Sequence, residues 1–294
     1  MSQTHTLTYT GVLQMVKENA LINVSFDYRG ESQHLKFEQP APCTKFVVYS
    51  ADFGGYSGSE NIVKSALNCP DLQFIFFTDS VLFSCPSNLL VCPVEDKTSD
   101  KRLAAKYFKI NSNYTLGGLV ESSLWIDSNM VLKKGFSVDD LGLEKADIAL
   151  FKHDKRDKIS AELNEVRKFA KDTDEALNYF INNIRKEEVN YDRLGLFQGR
   201  FLSRRKNEMV SFFEGIWWSY ILGFSIRDQL TLPLAVNKSK VNLFNLKPNL
   251  SSDSYEVVHH LRYDFSAKKS SFRMFVRYLK GLFMYKLSFF IKRG

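Results

Sequence analysis

The chain has 294 residues, 44% of them hydrophobic and 25% charged, which suits one large α/β domain or one domain with helical additions and excludes a wholly disordered polymer. Its net charge of +7 is uneven, because eight of the 40 Lys and Arg residues and no acid fall within 266–294, leaving 32 basic residues against 33 acidic ones. A neutral body does not suit a nucleic-acid-binding domain, whose basic patch spreads over the folded face. Cys43, Cys69, Cys85 and Cys92 lack close spacing and histidine partners, so a zinc site is not expected, and they read as buried free thiols in a reducing cytoplasm. Met1–His5 carries neither the basic nor the apolar region of a secretory signal, which points the same way.

Residues 1–42 read as a polar extension with short strand patterns at Thr6–Leu13 and Leu21–Tyr28, paired as a hairpin and closed by Pro40-Ala41-Pro42. Lys45–Ser50 is β-branched and aromatic, as a buried strand requires, and it enters a glycine-rich loop, residues 51–59, of the kind that either approaches a ligand or only turns the chain. A helix is expected over Glu60–Leu67, then a strand over Leu72–Asp79 and a short extended piece from Val91. Asp100–Asn111 has helical spacing, with Leu103, Tyr107 and Ile110 on one face and Arg102 and Lys106 one turn apart.

Leu124-Trp125-Ile126-Asp127-Ser128-Asn129 is an apolar run that stops at an acid. Open α/β sheets bind ligands beyond the carboxyl ends of their strands, and a carboxylate there suits Mg²⁺ or Mn²⁺ shared with substrate phosphates. The other reading of Asp127 is an ordinary turn residue. A strand follows at Asp147–Phe151, then a charged helical stretch over 157–185, an aromatic helix over Glu208–Leu222, a helix over Leu230–Val236 and a strand at Val241–Phe244. The uncharged stretch within 215–226 is too short to span a bilayer and reads as buried. Strands alternating with helices predict a parallel, βαβ-built sheet.

In 266–294, Phe272, Phe275, Val276, Leu279, Leu282, Phe283, Leu287, Phe290 and Ile291 recur mostly at three- and four-residue steps between the basic residues. That pattern predicts a basic amphipathic helix, either an anchor on an anionic membrane surface or a helix docked on the protein's own core.

Taken in order, Lys45–Tyr56, Phe76-Phe77-Thr78-Asp79, the helix with Arg102 and Lys106, Trp125-Ile126-Asp127, His153 with Arg156, and Arg227-Asp228-Gln229 resemble a glycosyltransferase-like family that was first catalogued as a domain of unknown function and includes plant mucilage glycosyltransferases. The pattern is more distantly similar to glycosyltransferase family eight. The resemblance covers about residues 44–240 and implies a GT-A-type fold, a Rossmann-like mixed sheet with flanking helices, in a domain over 43–265 that carries the 266–294 tail. It implies that Tyr49, Ala51, Gly54, Tyr56 and Asp79 line a nucleoside pocket, that Arg102, Lys106, Arg227 and Arg262 approach the diphosphate, and that Asp127, Ser128 and Asn129 form the metal motif. Asn129 replaces the second acid of that motif, and a neutral amide is a weaker ligand for a hard cation, so Mn²⁺ or Mg²⁺ would also call on His259 or His260, or else be replaced by Arg102, Lys106 and Arg262.

Asp228 and Gln229 would stand near the anomeric carbon, with Asp228 as base or polar stabiliser; its plain alternative is a helix N-cap. His153 would contact sugar hydroxyls or act as a base, its alternative being an exposed loop histidine. Trp217 and Trp218 would stack on an acceptor sugar or pack the core. The implied activity is hexosyl transfer from a nucleotide sugar, UDP-linked, to a glycan or lipid-linked glycan acceptor, as in capsule or O-antigen synthesis at the inner membrane face, with no specific nucleic acid. The competing expectation is a non-catalytic peripheral membrane or nucleic-acid-binding protein that keeps a nucleotide-binding fold.

Overall fold

The computed structural model describes residues 16–18, 21–82, 84–169, 171–186 and 190–258. The strand expected at Thr6–Leu13, the residues His259, His260 and Arg262, and the basic segment 266–294 lie outside the described residues.

The elements in chain order are β1 (Val16–Glu18), β2 (Leu21–Tyr28), β3 (Glu31–Glu38), β4 (Phe46–Asp52), α1 (Glu60–Asn68), β5 (Gln73–Thr78), β6 (Leu89–Asp96), α2 (Lys101–Ile110), α3 (Ser112–Thr115), β7 (Ser122–Ile126), β8 (Met130–Leu132) and β9 (Ile148–Lys152). They continue as α4 (Ile159–Lys168), α5 (Asp174–Lys186), β10 (Phe197–Arg205), α6 (Glu208–Gly223), α7 (Asp228–Ser239), β11 (Leu243–Asn245), α8 (Pro248–Ser254) and β12 (Tyr255–Val257).

Ten strands form one sheet in the order β1-β2-β3-β6-β5-β4-β7-β10-β9-β11, and β12 pairs with β8 beside it. The centre, β6-β5-β4-β7, is parallel, as expected for βαβ units. The flanks are not: β10 runs antiparallel to both β7 and β9, and β3 runs antiparallel to β6. The architecture is therefore mixed α/β rather than wholly parallel, an arrangement compatible with a Rossmann-like sheet.

The central strands are buried on both faces, which is why Val47, Val48 and Tyr49 follow one another without a polar break. One face, with Val47, Tyr49, Ile75 and Phe77, packs on α2 and α6; the other, with Val48, Phe74, Phe76 and Leu124, packs on α1 and the β8 region. α4, α5 and α7 gather a third core around Leu163, Phe180 and Leu230. Asp100 caps α2 by accepting the Arg102 N–H at 2.9 Å, and Asn207 caps α6 by accepting that of Val210 at 2.8 Å.

Three expectations change here. The hairpin is formed by β2 and β3, and its Val24, Phe26, Leu35 and Phe37 enter the main core, so residues 21–38 extend the sheet instead of forming a separate extension before residue 42. The helical stretch after 157 is two helices with a break between them. Of the four free thiols only Cys69 and Cys92 are buried, while Cys43 and Cys85 are exposed. Among the described residues no helix is long and apolar enough to cross a membrane.

Candidate functional site

Strand order reverses at β4, whose neighbours are β5 on one side and β7 on the other. Parallel strands that diverge in sequence leave a crevice beyond their carboxyl ends. A cleft of about 330 Å³ lies there, lined from the end of β4 and the residue after it by Ala51, Asp52 and Phe53, from β7 and its turn by Trp125, Asp127, Ser128 and Asn129, and from the segment entering α7 by Ile226 and Arg227. α2 forms another wall with Arg102, Ala105, Lys106 and Lys109, residues that helical spacing places on one face. Tyr56, 82% exposed, stands at the mouth. Five lining side chains are cationic (Lys101, Arg102, Lys106, Lys109, Arg227) and two are acidic (Asp52, Asp127).

Lys106, Lys109 and Asp127 of this lining join Asp228 behind them in a four-membered charge cluster. The Asp228 carboxylate, on the first residue of α7, accepts Lys106 Nζ at 2.7 Å and Lys109 Nζ at 2.5 Å on the same oxygen. Lys109, with a side chain only 2% exposed, also donates to Asp127 Oδ1 at 3.2 Å. That Asp127 oxygen further accepts Trp125 Nε1 at 2.8 Å, and the Lys109 ammonium lies 5.9 Å from the Trp125 ring centre. The β10 backbone makes room for the cluster at Gly199, where a Cβ would sit 2.9 Å from Asp228 Oδ2 and 3.1 Å from Lys109 Nζ.

Burial acts against the charges of Asp228, Lys109 and Lys106, and their partners decide the outcome. Burial raises the Asp228 carboxyl, but Lys106, Lys109 and Arg227 outweigh it and hold it well below the ordinary carboxylate range. Burial lowers the Lys109 ammonium, yet Asp127 and Asp228 together bring it above its ordinary value. For Lys106 burial wins and lowers it to about 8, despite Asp228, with Lys109 adding like-charge repulsion.

The floor of the site is held by backbone. The Asp127 N–H donates to Arg200 O at 2.9 Å, Ser128 O accepts Asn61 Nδ2 at 2.8 Å, and Asn129 O accepts the Val258 N–H at 2.8 Å. Residue 258 thus ends the described chain beside the Asp127 turn. The loop after β4 is folded by two strand-end acids: Asp52 accepts the Ser57 and Gly58 N–H groups at 3.0 and 3.1 Å, and both Asp79 oxygens accept the Gly54 N–H, at 3.0 and 3.1 Å. Gly54 has φ of 67°, a conformation that favours glycine.

Ala51, Tyr56, Arg102, Lys106, Asp127, Ser128, Asn129 and Arg227 therefore meet at one cleft. The other expected residues are placed differently. Tyr49 is fully buried against Trp125, and Gly54 and Asp79 are occupied with each other, so these three shape the loop and core but are not among the lining residues. Arg102 reaches the cleft edge already paired with Asp100, Nη2 to Oδ2 at 2.6 Å. Asp228 lies behind the lysines, and Gln229 accepts Arg227 Nη2 at 3.2 Å rather than facing the cleft. The N-cap reading also changes, because Arg227 holds that position and Asp228 is the first helical residue.

His153 is neither exposed nor in the cleft. Its side chain is 4% exposed, and its Nδ1 accepts the Lys155 and Arg156 N–H groups, both at 3.1 Å. Burial and then Arg156 lower its pKa, which keeps it neutral while it staples that turn. Trp217 and Trp218 are core residues, Trp217 donating to Thr231 Oγ1 at 3.1 Å and Trp218 packing edge-on against Phe26 and Tyr107.

Of the donors expected for Mn²⁺ or Mg²⁺, Asp127, Ser128 and Asn129 lie among the described residues, and these three do not form a ready cation site. Asp127 already carries a cationic partner, the Asn129 carbonyl is taken by Val258, and among the described residues there is no group of three His, Cys, Asp or Glu side chains able to hold a metal. Sequence reading missed Lys109 and Asp52. Lys109 continues the Arg102–Lys106 spacing by three residues, and Asp52 ends its strand as Asp79 and Asp127 end theirs; either pattern is a usable signal. No protein-family model and no curated protein matches this chain.

Proposed function

We propose that this protein is a glycosyltransferase with a GT-A-type fold that moves a hexosyl unit from a UDP-sugar to a glycan acceptor in surface-polysaccharide synthesis. The observation that carries the reading is the cationic cleft at the strand-order reversal, five cations against two acids, with a strand-end carboxylate in its floor. A nucleoside diphosphate is an anion of matching charge, and its base can stack on the exposed Tyr56 ring while its diphosphate meets Lys106 and Arg227.

In the transfer, the bond between the anomeric carbon and the diphosphate breaks, the acceptor hydroxyl bonds to that carbon, and the hydroxyl proton is released. Negative charge grows on the departing diphosphate, so fixed cations in a partly dry cleft are worth most at that moment. Lys106 and Arg227 are the groups to neutralise it. Asp127 projects into the cleft to orient donor hydroxyls. Asp228, held deprotonated with one oxygen occupied by two ammonium groups, is a positioning residue for the lysines rather than a base. The segment 266–294 brings the enzyme to an anionic membrane surface, where a lipid-linked acceptor would be met.

The test is thermal-shift screening against UDP, GDP, CDP and their sugars, followed by assay of sugar release from the donor that binds. A ligand that binds only the folded state raises the melting temperature by mass action. A shift with UDP or a UDP-sugar that Arg227→Ala weakens, together with sugar release that Asp127→Ala abolishes, is the expected result. No shift with any nucleotide, alongside salt-dependent binding of nucleic acid lost on deleting 266–294, would replace this reading with the non-catalytic one.

A further inference from the structure

The cleft poses a question of charge that the family resemblance answers with a divalent ion. Asp127 and Asp228 come from different elements, the end of β7 and the start of α7, and both reach one atom, Lys109 Nζ, at 3.2 and 2.5 Å. Two carboxylates converging on one small cation is the arrangement expected of a metal site. Here an ammonium occupies the centre.

That ammonium is built in. The Lys109 side chain is buried and sits near the Trp125 ring, and its carbonyl is gripped by Arg204 Nη2 at 2.6 Å. Gly199 leaves no Cβ where one would collide with the pair, so the backbone of β10 is fitted around it. A divalent ion bound to Asp127 would face this charge across one carboxylate, at like-charge range. The Asp-Ser-Asn turn offers one carboxylate to such an ion, and the oxygen of it that Lys109 holds is also taken by the Trp125 indole N–H.

We propose that Lys109 is the resident cation of this site, so that the cleft binds a nucleoside diphosphate without a divalent metal and the Asp127–Asp228 pair becomes a metal site only when the ammonium is removed. The nucleotide half of this inference rests on the proposed function; the metal half does not.

The experiment uses the full-length protein in two arms. In the first, Mn²⁺ alone is titrated and followed by the loss of its free electron paramagnetic resonance signal. Wild type takes up no Mn²⁺ in a saturable way, whereas Lys109→Ala gains one saturable site that the double variant Lys109→Ala/Asp127→Ala loses. Saturable Mn²⁺ uptake by wild type that Asp127→Ala removes would overturn the inference, and so would a folded Lys109→Ala with no gain. In the second arm, UDP is titrated into wild type with EDTA or with Mn²⁺. Equal affinity within about twofold supports the inference, and a preference for Mn²⁺ beyond about tenfold overturns it. Wild type decides both arms if Lys109→Ala does not fold. Failure of UDP to bind under either condition counts against the proposed function and leaves the Mn²⁺ titration to settle the metal.

Discussion

Two buried charge clusters meet at the C-terminal half of α2, and they are built on opposite plans. Around Arg204 and Glu214, one guanidinium faces one carboxylate at 3.1 Å, both fully buried. The remaining hydrogen bonds are local: Arg204 reaches the carbonyls of Lys109 and Ile110 and the Tyr49 hydroxyl, while Glu214 accepts Ser112 Oγ and the Asn113 N–H. This cluster ends a helix and is closed to solvent. The cluster of Lys106, Lys109, Asp127 and Asp228 shares Lys109 with it, by its carbonyl on one side and its ammonium on the other. It places two cations on one carboxylate oxygen and opens on a cleft with surplus positive charge. The lesson is that stoichiometry and access, more than burial, separate a charge pair that locks the fold from one that awaits an anion.

The comparison can be broken most forcefully at the closed pair. Arg204→Met leaves Glu214 buried without its cation, and the expected loss is about 3–5 kcal/mol in urea unfolding. A loss below about 1 kcal/mol would mean that the two clusters do not differ in kind. Gly199→Ala acts on the open cluster through sterics alone. The new methyl must move Asp228 or Lys109, with an expected cost of about 1–3 kcal/mol in stability and a matching fall in UDP affinity by calorimetry.

Lys106→Ala removes a cleft cation whose burial disfavours its charge, so stability should hold or rise while UDP binding falls about tenfold, or about 1.4 kcal/mol. A drop in melting temperature with unchanged affinity would assign Lys106 to the fold instead. The smallest effect is one of pH. The ammonium of Lys106 is the form that attracts phosphate, and its value is lowered to about 8, so UDP affinity should be full below that pH and decline as pH rises through it. Lys106→Arg should flatten this decline, because guanidinium keeps its charge throughout.

Much of the fold is written in local pattern. β4, β5 and β7 are continuous apolar runs, and α2 and α6 carry helical spacing with Asp and Asn caps. β10 was not legible, because Gly199, Arg200, Arg204 and Arg205 break its apolar character, and nothing local tells that Arg204 is buried while Arg205 is exposed. β3 carries the alternation of a half-buried strand, Lys36 and Glu38 exposed while Leu35 and Phe37 face in, but with so few apolar residues the signal was passed over. In the site, strand-end acids were easy to mark, but their use was not: Asp79 and Asp52 fold a loop while Asp127 enters the cleft, and the partners that decide this are distant in sequence. The Lys109–Asp228 contact joins residues 119 apart, a distance that local pattern does not bridge.

The placement of Trp125 gives the molecule an optical property. Of its three tryptophans, Trp217 and Trp218 lie in the core under α6, while Trp125 lines the cleft with its indole N–H on Asp127 and the Lys109 ammonium near its ring. Indole emission responds to the electric field across the ring, and an arriving diphosphate changes that field most at the tryptophan that lines the cleft. Occupancy of the cleft is therefore written into the protein's own fluorescence, readable without label or coupled assay.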